Sequence, residues 1–140
     1  MTRNLLGSAA TLLVLPTLAV AVAIGPAQIA VLDRYVAAAK TQPGYAGPST
    51  ERGRAFFFAS HAGGKPDTPA CTSCHTVNLT GPGQTRAGKP IDPMAPSVVP
   101  TRYTDAATVE RWFKRNCSDV LGRECTAAEK ADALVFLLGL

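Results

Sequence analysis

From residue 28 onward, apolar positions recur mostly at helical intervals. Ile29, Leu32, Val36 and Ala39 keep that spacing and predict a helix from 28 to about 40, closed by Pro43-Gly44. Ser49 or Thr50 can cap a second helix running to Phe58 or Ala59, with Phe56, Phe57 and Phe58 supplying bulk. His61-Ala62-Gly63-Gly64 breaks it, and His61 is expected at the solvent surface there. Thr104 or Asp105 can start a third helix from about 106 to 120, ended by Gly122. Thr126 with Glu129 three residues on forms a capping box for a last helix, Ala127 to Leu138, whose Leu134, Phe136, Leu137 and Leu138 are available for burial. No strand pattern stands out, so the predicted fold class is all-α. Residues 76 to 104 are rich in Gly and Pro and have no period. So long a stretch without secondary structure in a compact domain implies that it wraps something.

The first 27 residues read differently. Arg3 is the only charge before Asp33, and Leu5 to Ile24 is almost wholly apolar. Small residues follow at Ala21, Ala23, Gly25 and Ala27. Residues 1–27 therefore read as a secretory signal cut after Ala27, with Ala23 as the second choice and an uncleaved anchor as the alternative. Residues 28–140 are then one domain, expected in the periplasm. The chain of 140 residues is long enough for one domain and not two. Formal charge is +4, and Arg3 contributes one of these charges. No basic run with interleaved aromatics is present, so nucleic acid is not an expected partner. Aromatic residues make up 6%, which leaves a core of side chains alone thin.

Cys71-Thr72-Ser73-Cys74-His75 is the CxxCH signature of covalent heme attachment. Two thiols add across the two heme vinyl groups, and two intervening residues set their separation. His75 then falls below the iron as an axial ligand. A thioredoxin-type pair would need a surrounding βαβ pattern, which is missing. A zinc site would need further ligands, and the other two cysteines, Cys117 and Cys125, are eight apart rather than three. The motif implies one heme c with its iron, and the heme edge is a candidate for what the loop wraps.

The second axial position stays open on the residues alone. Met94 lies 19 residues beyond His75 and is either a ligand or an apolar wall of the pocket. On the third helix Val109, Trp112, Phe113, Asn116 and Val120 share one face, with Trp112 and Phe113 placed to line an apolar distal side. An amide on a buried face needs a polar partner or costs about 1–3 kcal/mol. Heme iron is one such partner for Asn116, and backbone carbonyls are another. Arg111, Lys114 and Arg115 fall on the flank away from that seam, as a solvated face or a docking patch for an acidic redox partner. Cys117 and Cys125 could form a bridge worth roughly 2–3 kcal/mol, or be two free thiols.

Arg111-Trp112-Phe113-Lys114-Arg115-Asn116-Cys117, followed by Leu121-Gly122-Arg123-Glu124-Cys125-Thr126, closely resembles the sphaeroides heme protein family. Ala95-Pro96-Ser97 fits it too, and the resemblance spans residues 29 to 140. It implies a class I cytochrome c fold with one heme held by Cys71, Cys74 and His75. It implies Asn116 as sixth ligand of the ferric iron and a Cys117–Cys125 disulfide beside it. It further implies that Asn116 is displaced on reduction, opening a site for O₂, NO or CO. A diheme cytochrome c and a membrane b-type cytochrome are the redox partners it suggests.

Three functions follow. The first is an electron carrier with redox-gated binding of diatomic ligands. The second is a plain electron-transfer cytochrome ligated by His75 and Met94. The third is a heme enzyme acting on oxygen or nitric oxide. That would need a positioned His or Arg at the distal face, and the sequence puts none on the Asn116 seam.

Overall fold

The computed structural model describes residues 24–140; the expected signal segment lies almost wholly outside them. Four helices carry the fold: α1 (Pro26–Ala39), α2 (Thr50–Phe58), α4 (Ala106–Leu121) and α5 (Ala127–Leu138). Between α2 and α4 lie a single helical turn, α3 (Thr72–His75), and a two-residue antiparallel ladder of β1 (Gly83–Gln84) with β2 (Pro90–Ile91). The class is all-α, as the periodicity predicts, and the small ladder is an addition to it.

The long helices start where side-chain chemistry says they should. The Ser49 hydroxyl accepts from the Arg52 amide, the Asp105 carboxylate from the Thr108 amide, and Thr126 exchanges hydrogen bonds with Glu129. α4 closes on Gly122 in the left-handed region (φ 68°).

α1 begins at Pro26, two residues before the expected start and one before the expected cleavage point. Its inward face also differs from the reading. Gln28, Val31 and Ala39 are buried, whereas Ile29 is 46% exposed. Gln28 sets that phase. Its carboxamide oxygen accepts from the Gly25 amide at 2.8 Å, and its nitrogen donates to the carbonyls of Pro100 (3.2 Å) and Arg102 (2.8 Å). These bonds satisfy a buried polar group that an apolar stripe would not predict.

Three apolar clusters fill the interior. Val31, Val109, Leu134 and Leu138 join α1, α4 and α5. Phe57, Leu79, Phe136 and Leu137 join α2, the long loop and α5. Cys117, Val120, Leu121 and Cys125 close the end of α4. α2 and α5 cross without a side chain between them at Gly53, where a β-carbon would stand 1.8 Å from the Asp132 carbonyl oxygen. Polar pairs lock the same crossings. Asp132, buried on α5, accepts from the Ser49 amide and from Arg52 Nε and Nη2 at 2.7–2.8 Å. Glu110 accepts from Tyr35 of α1 at 2.9 Å and from Lys130 of α5 at 2.7 Å.

The loop from 76 to 104 is held by its own carbonyls. Leu79 accepts from the amides of Met94 and Ala95, and Arg102 donates to the carbonyls of Asp92 and Pro93. Among the described residues no helix is long and apolar enough to cross a membrane.

Candidate heme-attachment site

The CxxCH motif occupies the one-turn helix α3, with Cys71 at its N-cap. A single turn puts Cys71 and Cys74 one above the other and leaves His75 at the end. Thr76 stops the turn with a positive φ of 60°, a conformation a β-branched residue adopts only at a cost of order 1–3 kcal/mol. The hairpin then folds back over the motif. A β-carbon on Gly83 would lie 2.3 Å from the Cys74 carbonyl oxygen, so only glycine fits. Neither Cys71 nor Cys74 is in a disulfide. Burial pushes the Cys71 thiol up to about 11, and burial, with a smaller contribution from the Asp119 carboxylate, raises that of Cys74.

His75 sets its ring 6.0 Å from that of Phe57, and its Nδ1 is buried with no hydrogen-bond partner among the described residues. Burial, with a smaller contribution from the Arg102 charge, lowers its pKa to about 4. The imidazole is therefore neutral, the form that ligates a metal. Two unbridged cysteines one turn apart and a neutral, desolvated histidine match what covalent heme requires of a protein. Among the described residues no three His, Cys, Asp or Glu side chains gather into a metal site of another kind.

Met94 packs with the cluster that includes Phe57, Leu79 and Cys71. Its backbone is fixed at both ends, the amide donating to Leu79 at 2.9 Å and the carbonyl accepting from the Tyr103 hydroxyl at 2.8 Å. Asn116 belongs to a different neighbourhood. It is half-buried on α4, immediately before Cys117 of the third cluster. Cys117 and Cys125 are joined as a disulfide with Cα atoms 5.5 Å apart. Phe113 is half-buried on the same helix and meets Tyr35 edge-on at 5.6 Å.

Three details correct the sequence reading. Trp112 is 46% exposed rather than buried on the seam. Arg115, expected on the flank away from that seam, stands over the Trp112 ring at 5.6 Å, because three residues along a helix bring the two side chains to one side. His61 is half-buried rather than exposed, its Nε2 2.9 Å from the Phe56 carbonyl oxygen and its ring against that of Phe56. Arg102 and Tyr103, which brace the loop beside His75 and Met94, carry no signal in the sequence. They sit in an aperiodic stretch, where bonds to distant carbonyls leave no trace in the pattern.

Residues 43–137 match the family model described as a domain of unknown function (DUF1924). Over 87 residues the chain is 59% identical to the cytochrome c-type protein SHP of Cereibacter sphaeroides, an overlap of 62% of this chain and 67% of that protein. The structure is similar to that of oxidized SHP, described as an oxygen binding cytochrome c. The TM-score is 0.72 at 50% identity, covering 79% of this chain and 94% of that one. It is also similar to the solution structure of cytochrome c'' from Methylophilus methylotrophus, reported for its insights into haem-ligand detachment. There the TM-score is 0.66 at 35% identity, covering 81% and 93% of the two chains.

Proposed function

The chain belongs to the DUF1924 family and to the sphaeroides heme protein family of c-type cytochromes, and on that premise we propose that it carries one heme c and opens a binding site for diatomic ligands when reduced. Cys71 and Cys74 would hold the heme covalently, and His75 would give its imidazole to the iron. The bound heme supplies a redox-active iron. Asn116 would hold the oxidised iron through its amide oxygen.

The observation that carries this reading is the placement of Asn116, half-buried on α4 and directly joined to the buried Cys117–Cys125 disulfide. A neutral amide oxygen is a hard, weak donor and holds ferric iron better than ferrous. The amide is therefore held in the oxidised state and let go in the reduced one, a two-state switch set by differential affinity. O₂, NO and CO are the ligands that fit the opened position. The oxygen binding stated for SHP and the ligand detachment stated for cytochrome c'' support this behaviour. Met94 serves as a wall, consistent with its packing against Phe57 and Leu79. Phe113, half-buried on the Asn116 helix, borders the opened position.

Electron supply comes from an acidic redox partner, for which a diheme cytochrome c and a membrane b-type cytochrome are candidates. Arg111, Lys114 and Arg115, all exposed on α4, are the matching charges. Residues 1–27 direct export to the periplasm, where the disulfide persists. Ferric and ferrous absorption spectra of Asn116→Ala, recorded beside Met94→Leu and the parent, test the ligand assignment. The Asn116 change should alter the ferric spectrum and leave the ferrous one nearly as it was, while Met94→Leu alters neither. A spectrum that Met94→Leu shifts in both redox states would instead make the protein a plain electron carrier.

A further inference from the structure

Residues 63–68, just ahead of the heme motif, clasp the last turn of α4. The fit there is close: a β-carbon on Gly64 would lie 2.4 Å from the Asp119 carbonyl oxygen, and one on Gly122 would lie 2.0 Å from that of Gly63. The Asp119 carbonyl is one of the acceptors that a helix end leaves without an intrahelical partner. It takes the Lys65 amide at 2.7 Å and the Thr68 hydroxyl at 3.1 Å. The Lys65 ammonium adds an ion pair to the Asp119 carboxylate at 2.5 Å. Thr68 is only 3% exposed, so its hydroxyl makes that bond away from water.

The chain distances on either side are short. Thr68 precedes Cys71 by three residues, and Asp119 follows Asn116 by three. The disulfide does a different job: it ties the end of α4 to the start of α5, both downstream of the motif. The bonds at Asp119 tie α4 to the segment that bears the covalent attachment points. A ligand as weak as a neutral amide holds only if its helix stays in register with the iron it faces, and helix ends otherwise open readily.

We propose that Thr68 is a positioning residue for Asn116, its hydroxyl bond to the Asp119 carbonyl keeping the amide within reach of the ferric iron. This rests on the reading of Asn116 as the ferric ligand. It predicts that loosening the clasp favours any outside ligand that competes with the amide.

The test uses the heme-loaded protein with Thr68→Val, Thr68→Ser and Thr68→Ala, each with and without Asn116→Ala. Azide affinity of the ferric form, the ferric spectrum and hydrogen exchange of the Gly122 amide are measured. Thr68→Val should bind azide about three- to tenfold more tightly, the scale of one lost hydrogen bond. It should also move the ferric spectrum toward that of Asn116→Ala and speed exchange at Gly122. Thr68→Ser should restore all three, and Thr68→Ala should shift them in the same direction as Val. In the Asn116→Ala background the Val change should leave azide affinity where it was. Parental azide affinity in both Val and Ala variants, or an equal gain with and without Asn116, overturns the assignment of Thr68 while leaving the ligand reading standing. An unaltered ferric spectrum in Asn116→Ala alone removes the ligand reading, and this inference with it.

Discussion

Glu110 shows how much a single side chain can organise here. One carboxylate oxygen takes the Tyr35 hydroxyl and the other takes Lys130, so three helices meet on it. Burial works to raise its pKa, but the bonds from Lys130 and Tyr35 outweigh that and hold it below the ordinary 4.5. A carboxylate with a depressed folded pKa contributes stability above its unfolded value and loses it as pH falls through the folded one. Urea midpoints should therefore fall once pH drops below about 4.5, and Glu110→Gln should flatten that decline. At neutral pH the substitution should cost about 1 kcal/mol, since half-exposed charges are screened. An acid limb of unchanged slope in Glu110→Gln would assign the acid sensitivity to other carboxylates. None of this was legible beforehand. Lys130 and Asp132 lie in a strongly helix-forming run, and nothing in that run shows that partners on α4 and α2 would let both be buried. The candidate ligands were a different matter. Cys71, Cys74 and His75 are recognisable because their chemistry fixes their spacing, and Asn116 stood out as the amide on an apolar face.

At the scale of elements, boundaries were legible where caps are local. Ser49, Asp105 and the Thr126–Glu129 pair mark the starts of α2, α4 and α5 because each satisfies amides within its own first turn. The phase of α1 was not legible, because Gln28 is turned inward by carbonyls some seventy residues away. The turn of α3 was not legible either, being too short for any period. The α4–α5 connection carries its own prediction. Replacing Cys117 and Cys125 together by Ser removes the constraint on an eight-residue span. Thermal unfolding should register a loss of about 2–3 kcal/mol. The ferric spectrum should shift toward that of Asn116→Ala, since the bridge anchors the residue next to the amide. A stability loss with an unmoved spectrum would make the bridge a staple of the fold and no part of ligand control.

For the whole molecule, the all-α class followed from periodicity, whereas the arrangement of helices did not. Helix order in space is written in close approaches such as Gly53 on Asp132, and in loop carbonyls gathered by Arg102, none of which has a one-dimensional signature. One consequence reaches across the molecule. The single tryptophan, Trp112, stands on α4 one turn before Asn116, half open to its surroundings. Excited indoles pass their energy efficiently to a nearby porphyrin. The native, loaded chain should therefore emit almost no near-ultraviolet fluorescence, and unfolding should switch it on. The protein thus contains a built-in optical gauge of how closely α4 and the porphyrin keep company, readable without any attached dye. A bright native state would mean that the indole lies well away from the pigment.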